Sequence, residues 1–173
     1  MKGASRVAGV VVLAVFAALL SWRAVWTARH LAVLAPMGGG DPAPAFRLPL
    51  LDGGDFTLEP GVVTVIDFWA TWCAPCRVEL PHVDAVARRY QGRVRFVAVD
   101  AEGPEVRPAV EELKRSLQLQ LPIALAGDDV SGLYKVTNLP TLVMIAKDGT
   151  IAHVLLGVRD EDEISRVVER LLK

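Results

Sequence analysis

The sequence predicts an α/β fold, a mixed sheet with helices on both faces. Three observations predict it. Val62–Trp69 is a nearly continuous apolar run of strand length, as a buried parallel strand should be. After it come Leu80, Val83, Ala87 and Tyr90 at helical spacing, and then a second apolar strand, Val94–Val99. Asp-Gly turns at 52–53 and 148–149 each separate two short strand-like runs, as hairpins require.

The elements follow in order. Residues 7–22 are uncharged and apolar, and Lys2 and Arg6 precede them. The run is short of the roughly 20 residues of a bilayer span. It extends to Trp26 if Arg23 snorkels and Trp22 and Trp26 sit among headgroups. We read residues 7–26 as an uncleaved transmembrane signal-anchor with a cytoplasmic N-terminus at 1–6. A cleaved leader fits less well, because Val33-Leu34-Ala35 lies far from the apolar run and Pro36 follows it. Lys2 and Arg6 place the N-terminus inside by the positive-inside rule, which Arg23 and Arg29 oppose. Residues 27–43, with three glycines and two prolines, read as a linker. The main domain is 44–173. It opens with a hairpin, Phe46–Leu51 and Phe56–Leu58. Past Val99, Pro108 suits a first helical turn, and Val110, Leu113 and Leu117 mark that helix's face. Leu121–Leu125 is a short strand, Val130–Val136 a short helix, and Thr141–Ile145 with Ile151–Leu156 a second hairpin. In the last helix Asp160 is the cap, Glu163 completes a capping-box spacing, and Ile164, Val167, Val168, Leu171 and Leu172 form the apolar stripe.

Charge and cysteine usage exclude several classes. The net charge is −1 over 173 residues, but four of the 19 bases and no acid lie in residues 1–35. That leaves 15 bases against 20 acids in residues 36–173. A nucleic-acid partner is therefore not expected, since phosphate binding needs a basic face. There are two cysteines, three apart, and no second pair to build a zinc site or a stapled mini-protein. His30, His82 and His153 are scattered, so no metal ligand set is expected.

Cys73-Ala74-Pro75-Cys76 follows a strand and opens a helix, and that context carries chemistry. Residues i and i+3 of a helical turn share a face, close enough for a disulfide. A thiol at a helix N-terminus meets unpaired N–H groups and the positive dipole end, which favour thiolate. Pro75 is preset for a first turn. Cys73 is expected to be the exposed nucleophile and Cys76 the resolving thiol. A static staple is the competing reading, but so small a loop constrains the unfolded chain little.

The segment Val65–Arg77 closely resembles the thioredoxin active site. Pro81, five residues after Cys76, matches that family's helix-kinking proline, and Asn138-Leu139-Pro140-Thr141 its cis-proline loop. The resemblance covers nearly all of residues 44–173. Within the superfamily, Ala45-Phe46-Arg47-Leu48-Pro49 with Asp52-Gly53, the Cys76-Arg77-Val78-Glu79-Leu80-Pro81 pattern and the extra helix between Val99 and Leu121 resemble the TlpA/ResA-like branch. The resemblance implies a thioredoxin-like fold, a cis bond before Pro140, and a redox disulfide needing no other cofactor. It implies that Asp67 exchanges protons with Cys76 through water, and that Glu79 helps tune the thiols. Asp67 departs from the branch, which often has Asn there. Buried and unpaired, its carboxyl is expected to have a raised pKa, unless backbone N–H groups satisfy it. Glu79 could equally be an ordinary exposed helix residue. Trp72, expected to cover the thiols and offer a contact surface, joins Ala74, Pro75, Leu139 and Pro140 as the candidate substrate-binding residues. Trp69 reads as core.

The expected function is extracytoplasmic thiol–disulfide exchange through a mixed disulfide, in the reducing direction. Members of the branch are typically tethered outside the cytoplasmic membrane. Many reduce apocytochromes c or copper-site assembly proteins. Periplasmic disulfide-containing proteins are thus the implied substrates, and a membrane electron donor the implied source of reductant. The alternative is a non-catalytic copper- or heme-handling module. Such folds usually show a wider Cys spacing and a distant His. A thiol peroxidase would need a Thr/Ser and Arg set that is not evident.

Overall fold

The structure, a computed structural model, describes residues 13–27, 37–126 and 128–173. Two units are distinct, residues 1–35 and 36–173.

In the first unit residues 13–27 form helix α1. Leu13, Phe16, Leu19, Leu20, Trp22 and Trp26 are exposed on it. Its two hydroxyls bond back into the helix, Ser21 to the Ala17 carbonyl at 2.8 Å and Thr27 to that of Arg23 at 2.7 Å. Of the anchor expected over 7–26, residues 7–12 lie outside the described residues, as do Lys2, Arg6, Arg29, His30 and 33–35. Among the described residues no helix is long and apolar enough to cross a membrane.

The second unit is built on a five-stranded sheet. Its strands are β3 (Val63–Trp69), β4 (Val94–Asp100), β5 (Ile123–Leu125), β6 (Thr141–Ile145) and β7 (Ile151–Leu156), in the order β5-β4-β3-β6-β7. The β3–β4 and β4–β5 pairs are parallel, and β3–β6 and β6–β7 antiparallel. Strand β3 is central, and all seven of its residues are buried, as its apolar run predicts. The N-terminal hairpin is β1 (Arg47–Pro49) with β2 (Asp55–Thr57), tighter than its apolar flanks suggest. The β5 strand is likewise shorter than the run around it.

One face of the sheet carries α2 (Ala74–Arg89), α3 (Arg107–Ser116) and α5 (Glu161–Leu172), which bury Leu80, Val83, Val110, Ile164 and Val168 against Val63, Val65 and Trp69. The opposite face carries α4 (Asp128–Leu133), the hairpin, and Met37 and Ala43, packed on Ile66, Phe68, Val97, Val99 and Val143. Helices do lie on both faces, but unequally. A 3₁₀ turn, Pro104–Val106, leads into α3. The expected α5 capping box is complete: Asp160 Oδ1 accepts from the Glu163 N–H at 2.8 Å, and Glu163 reaches back to the Asp160 N–H.

Residues 40–43, expected to be part of a free linker, pair with Gly149, Thr150 and the first residue of β7. The Gly40 N–H donates to the Ile151 carbonyl and the Ile151 N–H to that of Asp41, both at 2.8 Å, and Ala43 N–H donates to Gly149. Flexible composition does not prevent pairing when an open strand edge offers unpaired backbone groups.

Buried Asp84 in α2 ties that helix to the approach of β5. Its carboxylate accepts from the N–H groups of Gln120 (2.6 Å) and Leu121 (2.7 Å) and pairs with Arg88. Asp84→Ala strands those donors and is expected to cost roughly 2–4 kcal/mol. Urea denaturation of the oxidised protein checks this; an unchanged midpoint would contradict it.

Candidate active site

The site lies where β3, β4 and β5 end and β6 begins. The chain leaves β3 at Trp69, turns, and re-enters order at Cys73, whose N–H donates to the Ala70 carbonyl at 3.1 Å. Cys73 is the N-cap of α2, with extended backbone, and its Sγ accepts from the Cys76 N–H at 3.2 Å. The cap that Ser or Asp commonly supplies is here a sulfur. Cys73 and Cys76 are joined as a disulfide, their Cα atoms 5.3 Å apart, and Pro75 stands in the first helical turn.

The expectation of an exposed Cys73 needs correction. It is 3 % exposed and Cys76 fully buried. The order of accessibility is as predicted, but capping draws the first sulfur into the helix end instead of leaving it on the surface. The surroundings are open: Ala74 and Pro75 are exposed, and Trp72 is 70 % exposed. Trp72 therefore turns its ring toward solvent instead of burying it over the thiols. Trp69 is core, as expected, and its indole N–H has no hydrogen-bond partner among the described residues.

Opposite the turn stands the Leu139–Pro140 bond, which is cis. Phe68 registers with Thr141, so Pro140 falls level with the end of β3. Leu139 packs against the cluster that includes both cysteines, and Pro140 is buried.

Two buried carboxyl groups, Asp67 on β3 and Glu79 three residues past Cys76 on α2, act on each other. Asp67 alternates with Val65 and Trp69 along β3 and so projects to the α2 face. Neither of its oxygens has a hydrogen-bond partner among the described residues. Burial, and then repulsion from Glu79, hold its carboxyl well above the ordinary range. Glu79 is not an exposed helix residue; it is fully buried. Oε1 accepts from the Arg159 backbone N–H at 2.8 Å, and Oε2 has no partner among the described residues. Burial pushes Glu79 up to about 7 against the pull of that N–H and of the Arg159 charge.

Several participants escaped sequence reasoning. Arg159 supplies Glu79's N–H donor from the β7–α5 connection, eighty residues away in sequence. Glu102 accepts from the Thr71 N–H, and Arg77 grips the Thr71 carbonyl through Nη2 at 2.6 Å and Nε at 3.2 Å. Asp100, buried at the end of β4, accepts from the N–H groups of Glu102 and Gly103, and burial raises its carboxyl to about 6. The turn before Cys73 is thus held from both sides. The only sequence signal was the acidic cluster Asp100-Ala101-Glu102 at a strand end.

Comparison with known proteins agrees with this geometry. Residues 39–154 match the AhpC/TSA family. The chain is 31% identical over 136 residues to the thiol-disulfide oxidoreductase ResA of Geobacillus kaustophilus, covering 76% of this chain and 77% of that one. A thiol:disulfide interchange protein of the thioredoxin family from Chlorobium tepidum TLS superposes with a TM-score of 0.66 at 26% identity, over 77% of this chain and 97% of that one. A secreted disulfide oxidoreductase of Mycobacterium tuberculosis, described as homologous to E. coli DsbE, gives 0.65 at 25% identity, over 73% and 96%.

The raised Glu79 pKa has a measurable consequence. An unfolded chain releases this proton near 4.5, whereas the folded one holds it to about 7. Unfolding therefore becomes easier as pH rises through that window. The oxidised protein is expected to lose of the order of 3 kcal/mol between these limits from this group. Glu79→Gln should flatten the fall in urea-melt stability against pH; an equally steep profile would refute the assignment.

Proposed function

We propose, from the premise that this chain belongs to the AhpC/TSA family and is a thiol–disulfide oxidoreductase, that it reduces disulfides in extracytoplasmic proteins while tethered to the membrane by its N-terminal segment. The observation that carries the reading is the capped disulfide at the start of α2 with two buried, proton-holding carboxyls on the α2 side of the sheet.

The dithiol form begins the cycle. Cys73 ionises at the helix N-terminus, where the Cys76 N–H and the dipole favour thiolate. Its Sγ attacks a target disulfide; one target sulfur bonds to Cys73 and the other leaves as thiolate and takes a proton. Cys76 then gives its proton to the ionised member of the Asp67–Glu79 pair, Glu79, which loses its own proton near neutrality, directly or through water, and attacks Cys73 Sγ. The enzyme disulfide forms and the target dithiol departs. A carboxyl raised toward neutrality is suited to that transfer, because acid–base catalysis works best near the operating pH. The two electrons given to the target are restored by an external dithiol donor at the membrane. The two cysteines are the whole redox cofactor. Trp72, Ala74, Pro75, Leu139 and Pro140 form the surface on which the target lies.

Support for direction comes from the Ala74-Pro75 dipeptide, which holds no charge to stabilise thiolate and so leans toward the reducing end of the fold's range. Support for location comes from the secreted relative and from α1, whose apolar side chains are exposed while its hydroxyls are satisfied within the helix, as hydrocarbon would demand. Apocytochromes c and copper-site assembly proteins are the target classes we favour.

Cys76→Ser is expected to accumulate a mixed disulfide between Cys73 and the physiological target, recovered from the extracytoplasmic fraction and absent in Cys73→Ser. Redox titration should place the couple near the reducing end, about −270 mV, and far from about −120 mV. A well-folded Cys76→Ser protein that captures no partner, or a strongly oxidising couple, would overturn the proposal.

A further inference from the structure

The chain leaves β3 at Trp69 and β4 at Asp100, and these two residues are register partners. The Ala101 N–H donates to the Trp69 carbonyl at 2.9 Å, so the two strand exits run on side by side. Two residues beyond each strand end, Glu102 meets Thr71 and its carboxylate accepts the Thr71 N–H. A folded loop delivers Glu102 there. Its own N–H and that of Gly103 donate to Asp100 Oδ1, at 2.9 and 3.2 Å. Gly103 turns the loop with a φ of 117°, which a side chain would oppose. From the other side Arg77, one turn into α2, holds the Thr71 carbonyl with two donors, Nη2 at 2.6 Å and Nε at 3.2 Å.

Every peptide unit from Ala70 to Cys73 is thereby bonded. In the 70–71 unit the N–H donates to Glu102 and the carbonyl accepts from the Cys73 N–H. In the 71–72 unit the carbonyl accepts from Arg77, and in the 72–73 unit the N–H donates to Ala70. We infer that Glu102 and Arg77 are positioning residues for the exchange reaction: they fix the turn that sets Cys73 at the helix N-cap, and so keep its sulfur where the Cys76 N–H meets it. The inference rests on the exchange reading above and adds to it what holds the nucleophile ready.

The nucleophile has little else to hold it. Cys73 is the cap of α2 and has extended backbone, so the chain entering it sets its conformation. Its neighbours Trp72, Ala74 and Pro75 are exposed, and their packing restrains it little. A free turn samples many conformations, and ordering it must be compensated by bonds. In those that carry the sulfur away from the Cys76 N–H, a thiolate loses the interaction that favours its charge. The two side chains suit the task. A carboxylate only accepts and a guanidinium only donates, so neither can exchange roles, and both bonds are charge-assisted. Charge acting alone makes the opposite prediction: an anion near Cys73 disfavours thiolate, so removing Glu102 would ease ionisation.

The test uses the reduced full chain carrying Cys76→Ser, in which Cys73 is the single thiol. The probe is dipyridyl disulfide, which is uncharged. The Cys73 thiolate attacks one of its sulfurs, a protein–pyridyl disulfide forms, and the departing thiopyridone is followed by absorbance across pH. Adding Glu102→Ala is expected to move the midpoint of the pH–rate profile up by about one unit, the loss of roughly one hydrogen bond to a charged acceptor. The rate at neutrality should fall only about threefold, because the more basic thiolate is the better nucleophile. Glu102→Gln keeps an accepting oxygen without the charge and should restore both. Arg77→Lys keeps the charge but loses the two-donor fork, and should raise the midpoint by less than Glu102→Ala does. Urea midpoints of the variants establish that they are folded. An unmoved midpoint in folded Glu102→Ala, a fall in it, or a rise that Glu102→Gln shares in full overturns the positioning role. If Glu102→Ala does not fold, an unmoved midpoint in Arg77→Lys overturns it. Should Cys73 of the parent release no thiopyridone at any pH, the exchange reading falls and the positioning role with it.

Discussion

Strand β3 has neighbours on both edges and packing on both faces, and every group at the site takes its position from that strand. Its end at Trp69 fixes where the turn to Cys73 begins. Its register with Thr141 fixes where Pro140 stands. Its alternation sends Asp67 under α2 while Ile66 and Phe68 fill the opposite face. A one-residue slip would send Asp67 to the other core and place Phe68 under α2. Seven consecutive buried residues with a parallel and an antiparallel neighbour make such a slip very costly, so the site is as rigid as the sheet's centre.

The carboxyl pair is the one place where this packing is bought with an unfavourable arrangement. Asp67 has no hydrogen-bond partner among the described residues, and Glu79 has one, on a single oxygen. Apolar residues of like volume would fill the space at lower cost. What they could not do is hold a proton at neutral pH within a dry core. The N–H from Arg159 divides the two: it favours ionised Glu79, leaving Asp67 the more strongly protonated member. The division depends on a connection between β7 and α5, so the end of the sheet farthest along the chain influences the first cysteine's partner.

Much of this was legible in the residues. The β3 run, the helix opened by the cysteines and the α5 capping box each follow from local chemistry. Asp67 was legible as a buried carboxyl because an acid inside an apolar strand has few other places to be. Glu79 was not, since a helix acid reads as solvated until the neighbouring helix and connection are placed over it. The brace on Thr71 was hidden for a similar reason: Glu102 lies thirty-one residues away and meets the turn only because β3 and β4 are parallel and in register. The docked segment 40–43 misled because glycine and proline report conformational freedom and say nothing of an available strand edge. Pairings over long sequence separations are set by topology, and a single sequence carries no local trace of them.

That docked segment has a counterpart on the other side of the sheet. Leu50 bridges to Ala124, and the Leu51 N–H donates to Ile123 at 2.8 Å, so the start of the hairpin's turn lies along β5. Residues 40–51, one short stretch preceding the first core strand, thereby occupy part of both outer edges of the sheet. Exposed strand edges invite pairing between molecules. A fragment begun at Pro44 would retain the disulfide, the carboxyls and the cis-proline loop, yet leave one flank of the sheet unguarded against self-assembly.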